Sequence, residues 1–224
     1  MFQSKITLHP AVPADALPLA RLHNAAFAND GLMENMYGPL TQDDPPFAND
    51  LQKIIADDPH SRITKAIDTQ SGQIVGWSMW SIYPDAEALA TAAEEARKRA
   101  TTPPATSLCP QLYLDYQELK ARLREKWIGG RAVAILQVLA VHPDYQGRGI
   151  GTKLLMVGVE EARRLGLPAW LEASEAGYSV YKRCGFYDAE RMELDFAKYG
   201  LSGMEHVYCM LMDGKQCSAS TVDN

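Results

Sequence analysis

Three consecutive segments constrain the fold most: "RAVAILQVLAV" (131–141), "HPDYQGRGIG" (142–151) and "TKLLMVGVEEARRLG" (152–166). The first is almost wholly apolar, as expected of a central strand buried on both faces of a sheet. The last places Leu154, Leu155, Gly158, Ala162 and Leu165 on one face. It closes with Arg163, Arg164 and Gly166, which suit a helix C-terminus. The loop between them carries glycines at 147, 149 and 151. With "LPAWLEA" (167–173) following as a strand, this is a strand–helix–strand unit, and the chain is α/β.

The remaining segments extend that pattern. "SKITLHP" (4–10) reads as a strand stopped by proline, and 14–29 as a helix with Leu17, Ala20, Leu22, Ala25 and Phe27 at helical spacing. Residues 30–47, with Gly31, Gly38, Pro39, Pro45 and Pro46, read as irregular, and "FANDLQKIIADD" as a short helix. "SRITKAID" and "GQIVGWSMWSIY" read as two strands joined by a hairpin turn. Next comes an insertion, 84–130, with two charged helical stretches, 85–100 and 112–129. It is expected to be a solvated excursion, with a lid over a substrate cleft as the functional alternative. "GYSVYKRCG" reads as a short helix, and "FYDAERMELDF" and "HVYCMLM" as strands. Residues 1–212 are expected to form a single domain and 213–224 a polar, disordered tail.

Composition narrows the partners. With 224 residues and 46% hydrophobic content the chain can bury a proper core, and a net charge of −6 with no dense basic patch argues against nucleic acid. Cys109, Cys184, Cys209 and Cys217 have no zinc-site spacing and are too few for a disulfide scaffold, so reduced intracellular thiols and no metal are expected. No apolar stretch approaches a membrane span, and residues 1–10, containing Lys5 and His9, do not resemble a secretory signal. A soluble cytoplasmic protein is the expectation, with a nuclear location and a homodimer both left open.

Several readings compete for the glycine loop. A phosphate-binding P-loop fails because Lys153 follows Thr152 rather than Gly151. A dinucleotide fold needs a third glycine where Leu154 stands, although Glu172 lies near the distance of a ribose-binding acid. A plain turn accounts for one glycine, not three at alternate positions. In the remaining reading, Gln146-x-x-Gly149-x-Gly151 leaves unobstructed N–H groups where a helix begins, a cradle for a diphosphate to which Arg148 adds charge.

"LQVLAVHPDYQGRGIGTKLL" closely resembles the acetyl-CoA-binding motif of the GCN5-related N-acetyltransferases (GNAT), and "VYKRCGF" resembles a later signature of that family. The clear match covers about residues 131–190. The resemblance implies a mixed, mostly antiparallel central sheet with a splayed parallel pair and flanking helices. It also implies acetyl-CoA as co-substrate, with main-chain contacts to the acetyl-pantetheine arm from Leu139, Ala140 and Val141. Pyrophosphate contacts fall to Gln146, Gly147, Arg148, Gly149, Ile150, Gly151 and Thr152.

Acetyl transfer to an amine needs a path for the amine's proton, a donor for the oxyanion and a proton for the thiolate. Tyr181 matches the family tyrosine that protonates the thiolate, and Glu172, in "WLEAS", is the candidate base, directly or through water, with a solvent-facing or structural carboxylate as the equal alternative. Trp80 and Tyr83, with Trp77, lie on a strand expected to border the acceptor cleft, where Trp80 and Tyr83 read first as sheet or core aromatics and second as an acceptor platform. Many family members carry an asparagine before the tyrosine helix; the link here, "SEAGYS", lacks it and offers Ser174. His142 is read as a turn residue, and Cys184 has no triad partners. The acceptor is expected to be a small amine or amino-acid-like metabolite, with a peptide or protein amine second. A non-catalytic acyl-CoA-binding module is the alternative from another class.

Overall fold

The computed structural model describes residues 5–41, 45 and 47–214. Ser4 of the first expected strand, the rest of the 30–47 segment, and the expected tail from 215 onward with Cys217 lie outside the described residues.

Among the described residues, seven strands form one sheet in the order β1-β2-β3-β4-β5-β7-β6. They are β1 (Ile6–Pro10), β2 (Ser61–Asp68), β3 (Ile74–Tyr83), β4 (Val133–Val141), β5 (Ala169–Ala173), β6 (Tyr187–Asp195) and β7 (Met204–Met212). Only β4 and β5 pair in parallel; the other neighbours are antiparallel. The parallel ladder runs from Ala134↔Ala169 to Leu136↔Leu171 and stops there, although both strands continue. From Gln137 and Glu172 onward the two strands form an open fork.

A β-bulge coincides with that parting. Met79 faces Val138 and Trp80 faces Leu136, so Gln137 is an extra residue without its own partner on β3. A bulge bends and twists its strand, which fits the departure of β4 from β5 at this residue.

The helices are α1 (Ala16–Ala26), α2 (Gly31–Tyr37), α3 (Phe47–Asp57), α4 (Ala86–Arg99), α5 (Pro110–Ile128), α6 (Ile150–Arg164) and α7 (Glu175–Arg183). Helix α2 corrects the expectation of an irregular 30–47. Asp30 caps it by accepting from the Met33 N–H, and Leu32 and Met36 bury its inner face. Its brevity and the glycines and prolines around it hid the periodicity.

The insertion divides into two parts. Helix α4 is mostly exposed and buries Leu89 alone, as expected of an excursion. Helix α5 is not: Leu112, Leu123 and Ile128 are buried in a core shared with Val133 and Ile135 of β4, Trp170 of β5 and residues of β6 and β7. The direction of α5 follows from its ends. Near its C-terminus Lys126 and Trp127 donate to Glu190 of β6, and near its N-terminus Asp115 accepts from Tyr199, just beyond β6. Helix α5 therefore runs antiparallel to β6, and so to β4 and β5.

On the opposite face, α6 packs against β3 and β4. The Trp80 indole lies so close to Gly158 that a Cβ there would stand 2.2 Å from Nε1. Glycine inside a helix costs about 1 kcal/mol relative to alanine, and the close approach explains its presence.

Candidate active site

The glycine loop is built to expose main chain. Gln146 closes the end of β4 by donating Nε2–H to the Val141 carbonyl at 3.1 Å. His142 accepts from the Asp144 N–H, which makes it the turn residue that its position before Pro143 suggested. Tyr145 donates to Asp68 at 3.0 Å, tying the loop to β2. Arg148 donates to the Asp144 carbonyl, and its guanidinium lies 4.8 Å from the Tyr145 ring centroid.

Gly147 and Gly149 have φ of 73° and 76°, in the left-handed region that favours glycine. Gly151 is different, because a Cβ there would meet only the Val141 side chain, at 3.7 Å. The helical ladder begins with the Lys153 N–H bonding the Gly149 carbonyl. The amides of Ile150, Gly151 and Thr152 precede it and, with no side-chain cap at Gly149, have the arrangement of donors that suits an anion.

Leu139, Ala140 and Val141 pair with Ser78, Trp77 and Gly76 of β3. On their other edge, beyond Leu136, the β5 ladder has ended. The cradle and the open edge thus lie on one continuous path, from the start of α6 into the fork.

Tyr181, on α7, is buried among Trp80, Leu171 and Phe186, with its ring over Gly177. Burial, and next Cys184, raise its pKa, so the phenol stays protonated. Among the described residues no hydrogen bond holds its hydroxyl. Ser174 stands at the N-terminus of α7 with a hydroxyl that caps nothing. Burial also raises the Cys184 pKa and pushes Cys209 up to about 12, so neither is a thiolate nucleophile.

Glu172 occupies the crotch of the fork, but it is not a free carboxylate. Arg124 of α5 binds it through both oxygens, Nε to Oε1 and Nη2 to Oε2, each at 2.7 Å. Trp170 Nε1–H donates to Oε1 at 2.6 Å. Burial acts to raise its pKa, yet the charge and hydrogen bonds of Arg124, with Lys120 and Trp170, outweigh it and hold the carboxyl below its ordinary range. The arrangement suits an anchored anion better than a proton acceptor. Arg124 also reaches Gln137 at 3.3 Å, and Gln137 in turn donates to Ser81. One guanidinium therefore ties together the first residue of each strand beyond their last pair.

The two aromatic candidates are not at the mouth of the fork. Trp80 is only 1% exposed, held against α6 on the opposite face, so of its two readings the structure gives core packing and not the acceptor platform. Tyr83 pairs with Val133, at the closed end of the fork, with its ring beside His60. Trp77 is buried against α1 and α3.

Sequence reasoning missed Tyr37, Tyr116, Lys120, Arg124 and Gln137, all partly accessible. Tyr37 packs edge-on against Tyr113 and accepts from Gln117, joining α2 to α5; burial raises its pKa to about 12. The one available signal was the 116, 120, 124 spacing, which places Tyr, Lys and Arg on one helical face. Among the described residues no cluster of His, Cys, Asp or Glu forms a metal site, and no helix is long and apolar enough to cross a membrane.

Comparison with known proteins agrees with this geometry. The family model described as "Acetyltransferase (GNAT) family" matches residues 29–186. An uncharacterised N-acetyltransferase of Methanocaldococcus jannaschii is 37% identical over 71 residues, 29% of this chain and 31% of that one. The match therefore spans under a third of either protein. Two solved structures share the fold at 16% identity, covering 93% of this chain and 100% of theirs. One is a mosquito arylalkylamine N-acetyltransferase-like protein, with a TM-score of 0.67. The other is a polyamine N-acetyltransferase of Drosophila melanogaster that forms N-acetylagmatine, with a TM-score of 0.66.

Proposed function

The chain belongs to the GNAT acetyltransferase family, and from that premise we propose that it is an acetyl-CoA-dependent N-acetyltransferase of a small primary amine. The observation that carries this reading is the continuity of cradle and fork. Amides at the start of α6 suit a diphosphate, and the open edge of β4 begins beside them. A cofactor with a diphosphate and a long hydrogen-bonding arm fits both parts.

In the proposed reaction the neutral amine attacks the thioester carbonyl carbon. A C–N bond forms, the C–S bond breaks, and the amine's proton leaves to water. A main-chain N–H among Leu139–Val141 donates to the developing oxyanion. Tyr181, which burial keeps protonated, gives its phenolic proton to the departing thiolate and takes a proton back from water as the site turns over. Gln146 through Thr152 hold the pyrophosphate. Glu172 keeps its place at the reacting end as the counter-ion of Arg124, and the ion pair shapes the acceptor wall.

Calorimetric titration with acetyl-CoA, with NADH as matched control, tests the cofactor half. An amine panel read by thiol release tests the reaction. Saturable binding of acetyl-CoA alone and turnover that collapses in Tyr181→Phe are expected. Acetyl-CoA binding without turnover of any amine would favour a binding module instead.

A further inference from the structure

We propose, resting on the N-acetyltransferase reading above, that the acceptor is a primary amine bearing an anionic group, carboxylate or phosphate, and that Lys120 receives that group at the open end of the β4/β5 fork. Tyr116, Lys120 and Arg124 recur every fourth residue and share one face of α5. Because α5 runs antiparallel to β4 and β5, moving from Arg124 back to Lys120 and Tyr116 means moving from the crotch of the fork toward its mouth. Lys120 therefore stands where an acceptor must pass, and its side chain is partly accessible.

The charges in this stripe do not balance. Arg124 is committed to Glu172 and Gln137. Among the described residues no carboxylate lies within ion-pair distance of Lys120, whose ammonium stands 5.3 Å from the Tyr116 ring centroid. Asp30, Glu175 and Glu205 form a separate acidic group near the start of β7. Two cations thus share one carboxylate. Burial first, and the charge of Arg124 second, pull the Lys120 pKa down to about 8 against the opposing effect of Glu172. That is the signature of a desolvated ammonium lacking a counter-ion. An acceptor's carboxylate or phosphate would supply it, whereas a diamine or guanidinium acceptor would set its distal cation against Lys120 and Arg124.

The test is a set of matched acceptors, acetylated with saturating acetyl-CoA by wild type, Lys120→Met and Lys120→Arg. The pairs are arginine and agmatine, ornithine and 1,4-diaminobutane, tyrosine and tyramine, and, for phosphate, glucosamine 6-phosphate and glucosamine. In at least one pair the anionic member is expected to have a kcat/KM about tenfold or more above its partner, the scale of one charge-assisted hydrogen bond. Lys120→Met should erase that ratio through KM, and Lys120→Arg should preserve most of it. Preference for the member without the anion in every pair overturns the proposal, as does a preference that survives Lys120→Met. If acetyl-CoA binds and only the non-anionic members react, this inference falls alone. If acetyl-CoA does not bind and nothing reacts, the enzyme reading falls and this inference with it.

Discussion

Glu172→Gln separates an anchoring carboxylate from a catalytic base. The substitution keeps an acceptor for Trp170 Nε1–H but removes the charge that Arg124 grips through two 2.7 Å contacts. Neutralising one partner of a buried pair costs about 3–5 kcal/mol, and breaking an exposed pair about 0–1 kcal/mol. The side chains here are 22% and 9% exposed, which places the loss toward the buried end, at about 2–4 kcal/mol. For a chain of this length that is a fall in Tm of roughly 5–15 °C. Arg124→Met should cost a comparable amount, and the double variant less than the sum, with a coupling of about 1–3 kcal/mol.

The pH dependence carries a definite sign. The folded pKa lies below the ordinary value, so the pair's contribution is fully present above about pH 4.3 and is lost as pH falls through the folded pKa. The gap in Tm between wild type and Glu172→Gln should therefore narrow in acid. Thermal unfolding by circular dichroism between pH 3 and 8, beside initial rates of thiol release, measures both quantities. A Glu172→Gln variant with wild-type Tm but a kcat reduced a hundredfold, and with the acid limb of its pH profile gone, would refute the anchor and restore the base.

The other expectations are simpler. Gly158→Ala places a methyl within 2.2 Å of the Trp80 indole and should destabilise by about 1–3 kcal/mol as an overpacked core, seen as a lower Tm with acetyl-CoA affinity little changed. Gly149→Ala forces a side chain onto a φ of 76° and should weaken acetyl-CoA binding in calorimetry by about fivefold or more, at a strain of about 1 kcal/mol. Gly151→Ala, with its nearest neighbour at 3.7 Å, should bind within about twofold of wild type on the same scale. Tyr181→Phe should lower kcat by about a hundredfold or more and leave Tm nearly unchanged, because no described residue hydrogen-bonds the hydroxyl. For an anionic acceptor, KM should rise as pH passes about 8 and Lys120 loses its proton. Arg124 and Glu172, which face it, keep their charges across that range, and Lys120→Met should abolish the rise.

Much of this arrangement was legible in the sequence because it is local. The apolar run before the loop, the glycines at 147 and 149 and the amphipathic α6 each act on their own neighbours, and the structure keeps them together as a strand, a cradle and a helix. His142 and Gln146 are local in the same way, bonding within five residues. What failed was of longer range. Helix α2 hid between glycines and prolines, and its stability comes from the Asp30 cap and from packing on α5. Charged α5 looked like a surface helix because its polar residues are as many as its apolar ones. Yet it buries Leu112, Leu123 and Ile128 while spending Arg124 on a carboxylate 48 residues away.

Glu172 marks the boundary between the two kinds of information. The sequence placed it on the strand after the glycine-loop helix, where a carboxylate near the reacting end was reasonable. Its chemistry was decided by which charge the insertion delivered across the fork. A glycine turn or a helix start is set by steric and hydrogen-bonding preferences within a few residues of chain. A carboxylate's proton affinity and the charge of a cleft are sums over groups that only folding brings together, and those the sequence by itself left open.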